Sequence, residues 1–321
     1  MSNKSSPDVS LSSRPLAQSA HRAKSPSMQS LAAMLLLACI WGLSIPVTKL
    51  GLLTLPPLTL TALRFAIAAP LLLICAVSKP LLPWRALPRF VGLGVLGIGV
   101  GQVAQAFGVV GTSASVGTVI SATIPVFVVF FAAMRLKQRV TGLQKLGLLA
   151  AFIGIALVAS GHGEEANAIS RSTLSGAAWL LFSALAIAFY YVWSVEITLE
   201  YGAAAVAAWS SLFGFISLLP GVVWELWNSP VSFTAQAVWA AVYLGVAVSV
   251  AGLFLWLNIL CTVPARIAAS VQYLQPVVGV AASSAMFGDR LGALFFCGVL
   301  LVLGGLALSM TSRSKKEPKV S

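Results

Sequence analysis

Charged side chains are what this chain has least of. Lys, Arg, Asp and Glu together supply 9% of its 321 residues, whereas a soluble domain carries about a quarter, so an ordinary water-soluble enzyme is excluded. Histidine occurs twice, at His21 and His162, and aspartate twice, at Asp8 and Asp289. So few imidazoles and carboxylates argue against buried metal chemistry and most acid–base catalysis. The four cysteines, Cys39, Cys75, Cys261 and Cys297, are dispersed through apolar runs without the close spacing of a metal site or a disulfide framework. There is no G-x-x-x-x-G-K-[ST] phosphate loop and no polar segment long enough to house a nucleotide domain. No cofactor is implied.

Hydrocarbon fills the chain instead: 59% of the residues are hydrophobic and the mean hydropathy is +0.95. Apolar runs fall at 29–51, 57–78, 89–109, 112–134, 141–160, 174–197, 203–226, 235–259, 263–286 and 291–311, each near the ~20 residues a helix needs to cross a bilayer. The expected fold is an all-α polytopic membrane protein with ten transmembrane helices. Residues 1–28, rich in Ser and Pro, read as a disordered cytoplasmic tail. Its basic residues ahead of an apolar run resemble a signal peptide, but the run continues for a full span with no small-residue cleavage site, so the first helix is expected to be retained. Residues 161–173 read as an external linker and 312–321 as a basic cytoplasmic tail.

The net charge of +12 follows from membrane topology rather than from nucleic-acid binding. With both termini in the cytoplasm, Lys4, Arg14, Arg22, Lys24, Lys79, Arg85, Arg89, Arg135, Lys137, Arg139, Lys145, Arg266, Arg313, Lys315, Lys316 and Lys319 fall inside. Only Lys49, Arg171 and Arg290 fall outside, and Arg64 lies within the second span. A bias this lopsided is the positive-inside rule at work, and an error of one helix would destroy it. The expected location is the cell (inner) membrane, crossed many times.

Sliding the chain by 151 positions reveals a repeat: Gly94 falls on Gly245, Gly101 on Gly252, Ala114 on Ala265, Pro125 on Pro276, Arg139 on Arg290, Leu143 on Leu294, Gly147 on Gly298 and Gly154 on Gly305. Ten spans shared between two copies gives five each, and an odd number forces the second copy to enter from the opposite face. Two inverted repeats, 29–160 and 174–311, are therefore expected, a common design of secondary transporters.

Polar groups inside such spans are costly unless they meet a partner, a cavity or a solute. Gln102 and Gln105 lie at i, i+3 in the third span, while Gln272, Tyr273 and Gln275 precede Pro276 in the ninth. Each amide either bridges helices or meets solute. Ser121 stands four residues before Pro125 as Gln272 stands before Pro276, so both spans should set a polar group beside a carbonyl freed by proline. Trp41, Ser44 and Thr48 share one stripe of the first span, and Tyr190 and Ser194 one stripe of the sixth. The expected solute contacts are Trp41, Ser44, Gln105, Ser121, Tyr190, Gln272 and Tyr273. Arg64, Pro125 and Pro276 read as structural or gating residues, Arg64 being either a solute-facing cation or one that snorkels along its own stem.

The stretch ACIWGLSIPVTKLG, the run LTALRFAIAAPLLL, the helix TSASVGTVISATIPVFVVFFA and its echo VPARIAASVQYLQPVVGVAASSAMFGDRL together resemble the drug/metabolite transporter superfamily, in its ten-helix EamA-like branch. The resemblance covers about residues 30–311 and rests most on Trp41–Gly42, Arg64 and the two proline helices. It implies two inverted five-helix repeats, cytoplasmic termini and export of small metabolites through a central cavity. One departure stands out. The turn after the second proline helix reads Gly288–Asp289–Arg290, whereas the first reads Lys137–Gln138–Arg139, so an acidic cap, if that is its role, is missing from one half.

The function these features indicate is secondary transport: export or exchange of a small organic metabolite, an amino acid or related compound, by alternating access. The alternatives are an intramembrane lipid-modifying enzyme, which needs clustered nucleophilic or metal-binding groups that this chain lacks, and a permease for nucleobases or drug-like cations. A passive channel would need a filter or charged ring. The partners are a small-molecule solute and the lipid bilayer, with no nucleic acid; nothing in the sequence bears on oligomeric state.

Overall fold

In hydrocarbon a backbone must satisfy its own hydrogen bonds, and for a single apolar run the helix does so. The computed structural model describes residues 28–76, 84–135, 141–160, 171–263, 271–289 and 291–310, and among these every regular element is helical. The protein is an all-α polytopic membrane protein. Eight of the expected spans are helices long and apolar enough to cross a bilayer: α1 (Met28–Gly51), α2 (Pro57–Ala76), α3 (Leu87–Gly111), α4 (Ala114–Arg135), α5 (Gly142–Ser160), α6 (Arg171–Tyr201), α7 (Ala203–Asn228) and α8 (Ala235–Leu260). The ninth is described from Val271, where α9 (Val271–Phe287) begins, and the tenth is α10 (Ala293–Met310). The expected tails, 1–28 and 312–321, lie outside the described residues except for Met28, as does most of the linker 161–173.

Several helices are interrupted where local chemistry demands it. Helix α1 bends at Leu43, three residues before Pro46, whose missing N–H leaves the Gly42 carbonyl without its usual partner. Helix α4 breaks at residues 122–123 into Ala114–Ser121 and Ile124–Arg135, so that Pro125 stands in a first helical turn, where it needs no N–H partner. Pro276 lies inside α9 and is buried. Two wide π turns were not foreseen: Gly94–Val100 in α3 and Tyr243–Ala251 in α8. They end at residues related by the 151 offset, directly before the paired glycines Gly101 and Gly252.

The packing shows the repeat in space. The main packed pairs include α1 with α8 and α9, α6 with α3 and α4, α3 with α7, α2 with α8, α2 with α7, and α5 with α10. Adding five to each helix number, or subtracting it, maps this set onto itself, as expected of two equivalent halves. Helices α5 and α10 face each other across the symmetry axis through glycines: a Cβ on Gly154 would lie 2.7 Å from the Gly298 carbonyl oxygen, and one on Gly298 would lie 2.7 Å from that of Gly154. Backbones this close are a packing solution suited to lipid, where small residues replace the hydrophobic effect as the source of helix association.

At one end of the bundle the buried carboxylate of Glu225, 4% exposed, caps α2. It accepts from the Leu58 N–H at 3.0 Å, the Thr59 N–H at 2.8 Å and the Thr59 hydroxyl at 2.9 Å. Negative charge at a helix N-terminus also meets the positive end of its dipole. Trp84, Trp224 and Trp227 are 83%, 63% and 85% exposed, as suits rings at a membrane–water interface.

Candidate functional site

Helical spacing sets Thr61 with Arg64 and Gln102 with Gln105 on common faces, three residues apart. The bundle turns both faces into one cavity, lined by Thr48 of α1, Leu60, Thr61 and Arg64 of α2, Gln102, Gln105 and Ala106 of α3, and Leu244 of α8. Its volume of about 10 Å³ is room for about one water molecule.

Arg64 organises the cavity. Its Nε donates to the Ser249 hydroxyl at 3.0 Å and its Nη1 to Gln102 Oε1 at 2.9 Å, while the Phe65 ring lies 5.3 Å from the guanidinium carbon. The Ser249 hydroxyl in turn donates to the Leu244 carbonyl at 2.9 Å. That bond reaches back five residues within the π turn of α8, which thus positions Ser249 for Arg64. Ser249 escaped sequence reasoning because the repeat sets it opposite Ile98, an apolar residue that gives no signal.

The remaining candidates are dispersed. Trp41 Nε1 donates to the Val248 carbonyl at 3.3 Å, its ring sits 5.8 Å from that of Trp256, and it covers Gly252. It therefore packs α1 onto α8, one residue from Ser249. The Ser44 carbonyl accepts from the Thr48 hydroxyl at 2.7 Å. Tyr190 lies across α3 from the cavity, its ring over Gly97 and beside the cluster of Phe90 and Val206. Ser121 is buried at the break in α4. Tyr273 packs beside Val126, Ala151 and Leu306, and Gln272, its neighbour on α9, is not part of the cavity lining. Of the candidates, the structure thus brings Gln105 and Arg64 together directly.

A second feature lies near the cavity, at the turn joining α3 to α4. Lys49 Nζ donates to the carbonyls of Val109 at 2.8 Å, Val110 at 3.2 Å and Thr112 at 2.7 Å, closing the C-terminal end of α3. Asp289 Oδ2 accepts from the Ser115 N–H at 3.0 Å, at the N-terminal end of α4. Each charge complements the helix pole it meets. The acid of the Gly288–Asp289–Arg290 turn is thus a cap, and its repeat mate, Gln138, lies outside the described residues. Lys49 also lacks an equivalent. Gly252 packs on Trp41 as its mate Gly101 packs on Ile187, so α1 and α6 correspond at an offset of 146, which sets Val195 where Lys49 would be.

A sequence model of the EamA-like transporter family matches twice, over residues 28–160 and 174–311. The chain belongs to the EamA-like transporter family. Its relatives include an uncharacterized transporter of Archaeoglobus fulgidus, 24% identical over 89% of this chain and 100% of the relative. A probable terminal-alkyne amino-acid exporter of Streptantibioticus cattleyicolor is 28% identical over 86% of this chain and 91% of the relative. A probable amino-acid metabolite efflux pump of Escherichia coli is 27% identical over 89% of this chain and 96% of the relative. A known crystal structure superposes with a TM-score of 0.60 at 17% identity, covering 88% of this chain and 96% of that one; this likeness concerns the fold alone. As an EamA-like protein the chain is a transporter.

Proposed function

We propose that this protein is a secondary transporter that exports or exchanges a small organic metabolite, an amino acid or related compound, by alternating access, and that it is not an enzyme. The observation that carries this reading is the polar cavity lined by Arg64, Gln102 and Gln105 of the first half and Leu244 of the second, with Ser249 of the second half bonded to Arg64. Inverted-repeat transporters set their sites near the midplane between halves. The names of the relatives in Streptantibioticus cattleyicolor and Escherichia coli support the solute class. The two halves are 29–160 and 174–311, in the cell (inner) membrane with both termini cytoplasmic.

The test is reconstitution. Purified protein in liposomes moves solute without ATP and without altering it chemically; chemical conversion of the solute, or transport that stops when ATP is withdrawn, overturns the reading. Within that assay, Gln105→Ala weakens apparent affinity by about two- to tenfold, the loss of one hydrogen bond of ~0.5–1.5 kcal/mol. Gln272→Ala and Tyr190→Phe show the same loss if the open cavity reaches α9 and α6. Unaltered affinity in all three well-folded variants removes this site. Topology is checked by single-cysteine labelling of intact cells: a cysteine at Asn167 reacts and one at Ser12 does not, and the opposite pattern refutes the orientation.

A further inference from the structure

Arg64 stands about seven residues into α2, ~10 Å along the helix from its start, and a charge held in such surroundings calls for a counter-charge. The chain supplies none among its described residues. Asp289 caps α4, Glu225 caps α2, Glu196 pairs with Arg135 at 2.6 Å and Glu200 bonds Tyr201. The other four acids, Asp8, Glu164, Glu165 and Glu317, fall outside the expected spans. Gln102 and Ser249 satisfy two of the five guanidinium N–H donors with neutral acceptors.

The second half has no counterpart of this cation. Gly245 packs on the Arg64 carbonyl, and its repeat mate Gly94 packs in the same way on the Ser210 carbonyl, so the position equivalent to Arg64 is filled by serine. The charge belongs to one half only and faces the cavity.

We propose that Arg64 is the anchor for a carboxylate on the transported solute, so that the protein selects monoanionic or zwitterionic carboxylates and excludes solutes bearing only a positive charge. The inference rests on the transporter reading above. A planar guanidinium fork matches a carboxylate bidentately, and one cation surrounded by neutral Gln, Thr and Ser groups suits a single negative charge better than a phosphate dianion. Gln102, with its oxygen committed to Arg64, keeps its NH2 group to donate to the solute, and Gln105 offers an amide oxygen to an ammonium.

The experiment loads liposomes containing the purified full chain with a soluble small-molecule extract of cells and identifies by mass spectrometry what leaves in a protein-dependent way. Each solute found is then compared with its carboxamide and its decarboxylated amine. Carboxylates are expected to leave about tenfold faster or more than either analogue. In Arg64→Gln the acid-to-amide ratio falls to near one, and in Arg64→Lys, which keeps the charge without the fork, it is intermediate. The ratio is internal to each preparation and does not depend on the folded fraction. If Arg64→Gln yields no folded protein, the wild-type and Arg64→Lys ratios decide. Equal rates for acid and amide, an unchanged ratio in Arg64→Gln, or a preference for phosphate esters, amines or neutral solutes overturns the carboxylate inference and leaves the transporter reading standing. If nothing leaves the vesicles, both fall.

Discussion

Gly305→Val is expected to abolish a folded, monodisperse protein in detergent, while Gly304→Val, one residue earlier on α10, leaves it intact. A Cβ on Gly305 would lie 2.5 Å from the Gly147 carbonyl oxygen and 2.8 Å from the Ala151 nitrogen, whereas one on Gly304 meets nothing within 4 Å. The atoms met by Gly305 are backbone and have no rotamer to yield, so α5 and α10 must separate along their length. Overpacking by extra methylene groups in a core costs about 1–3 kcal/mol even where side chains adjust, and here the helix contact itself is lost. Size-exclusion profiles and thermal unfolding of the two variants provide the check. Equal behaviour would show that the glycine contact on the axis is not close.

Glu225→Ala is expected to carry the second-largest penalty. It removes the acceptor for two backbone N–H groups and one hydroxyl at the start of α2. Each buried donor left without a partner costs ~1–3 kcal/mol, so a loss of about 2–4 kcal/mol and a fall in the unfolding midpoint on the order of 10 °C are expected. Glu225→Gln, which keeps one acceptor oxygen, should fall between. A midpoint unchanged in the alanine variant would mean that water or lipid headgroups replace the carboxylate.

The spans were legible because ~20 apolar residues in succession have few other fates, and the repeat was legible because a fixed offset survives divergence. The matched glycines Gly147, Gly154, Gly298 and Gly305 were visible as equivalents, but an offset states correspondence and not contact; that they touch across the axis required the packing. The site was half legible for a related reason. Position along a helix gives depth, so Arg64 and Gln105 could be placed inside the membrane. Which way a side chain turns is harder, because lipid and protein interior are equally apolar and the span carries no clear polar face. Tyr190 illustrates this: it reaches α3 on its Gly97 side, whereas Gln102 and Gln105 occupy another face of the same helix. Ser249 was hidden for a different reason, since it depends on a π turn in α8 that no residue pattern announced. The capping role of Glu225 was not visible either, because the N–H groups it meets belong to another helix.

Lys49 and Asp289 grip the turn between α3 and α4 with four charge-assisted bonds, and the corresponding positions in the other half hold Val195 and Gln138. If the halves were identical, the two access states would be degenerate, each populated half the time. A grip present at one end lifts that degeneracy. Opening that end means drawing Lys49 off three carbonyls, and every ~1.4 kcal/mol retained by the grip shifts the populations tenfold. Taken alone, the grip weights the ensemble toward the state closed at the Lys49 end, against the more exposed Arg135–Glu196 pair at the opposite end of α4. Under the orientation proposed above, with both termini cytoplasmic, the opposite mouth would face the cell interior, the side from which an exporter would load.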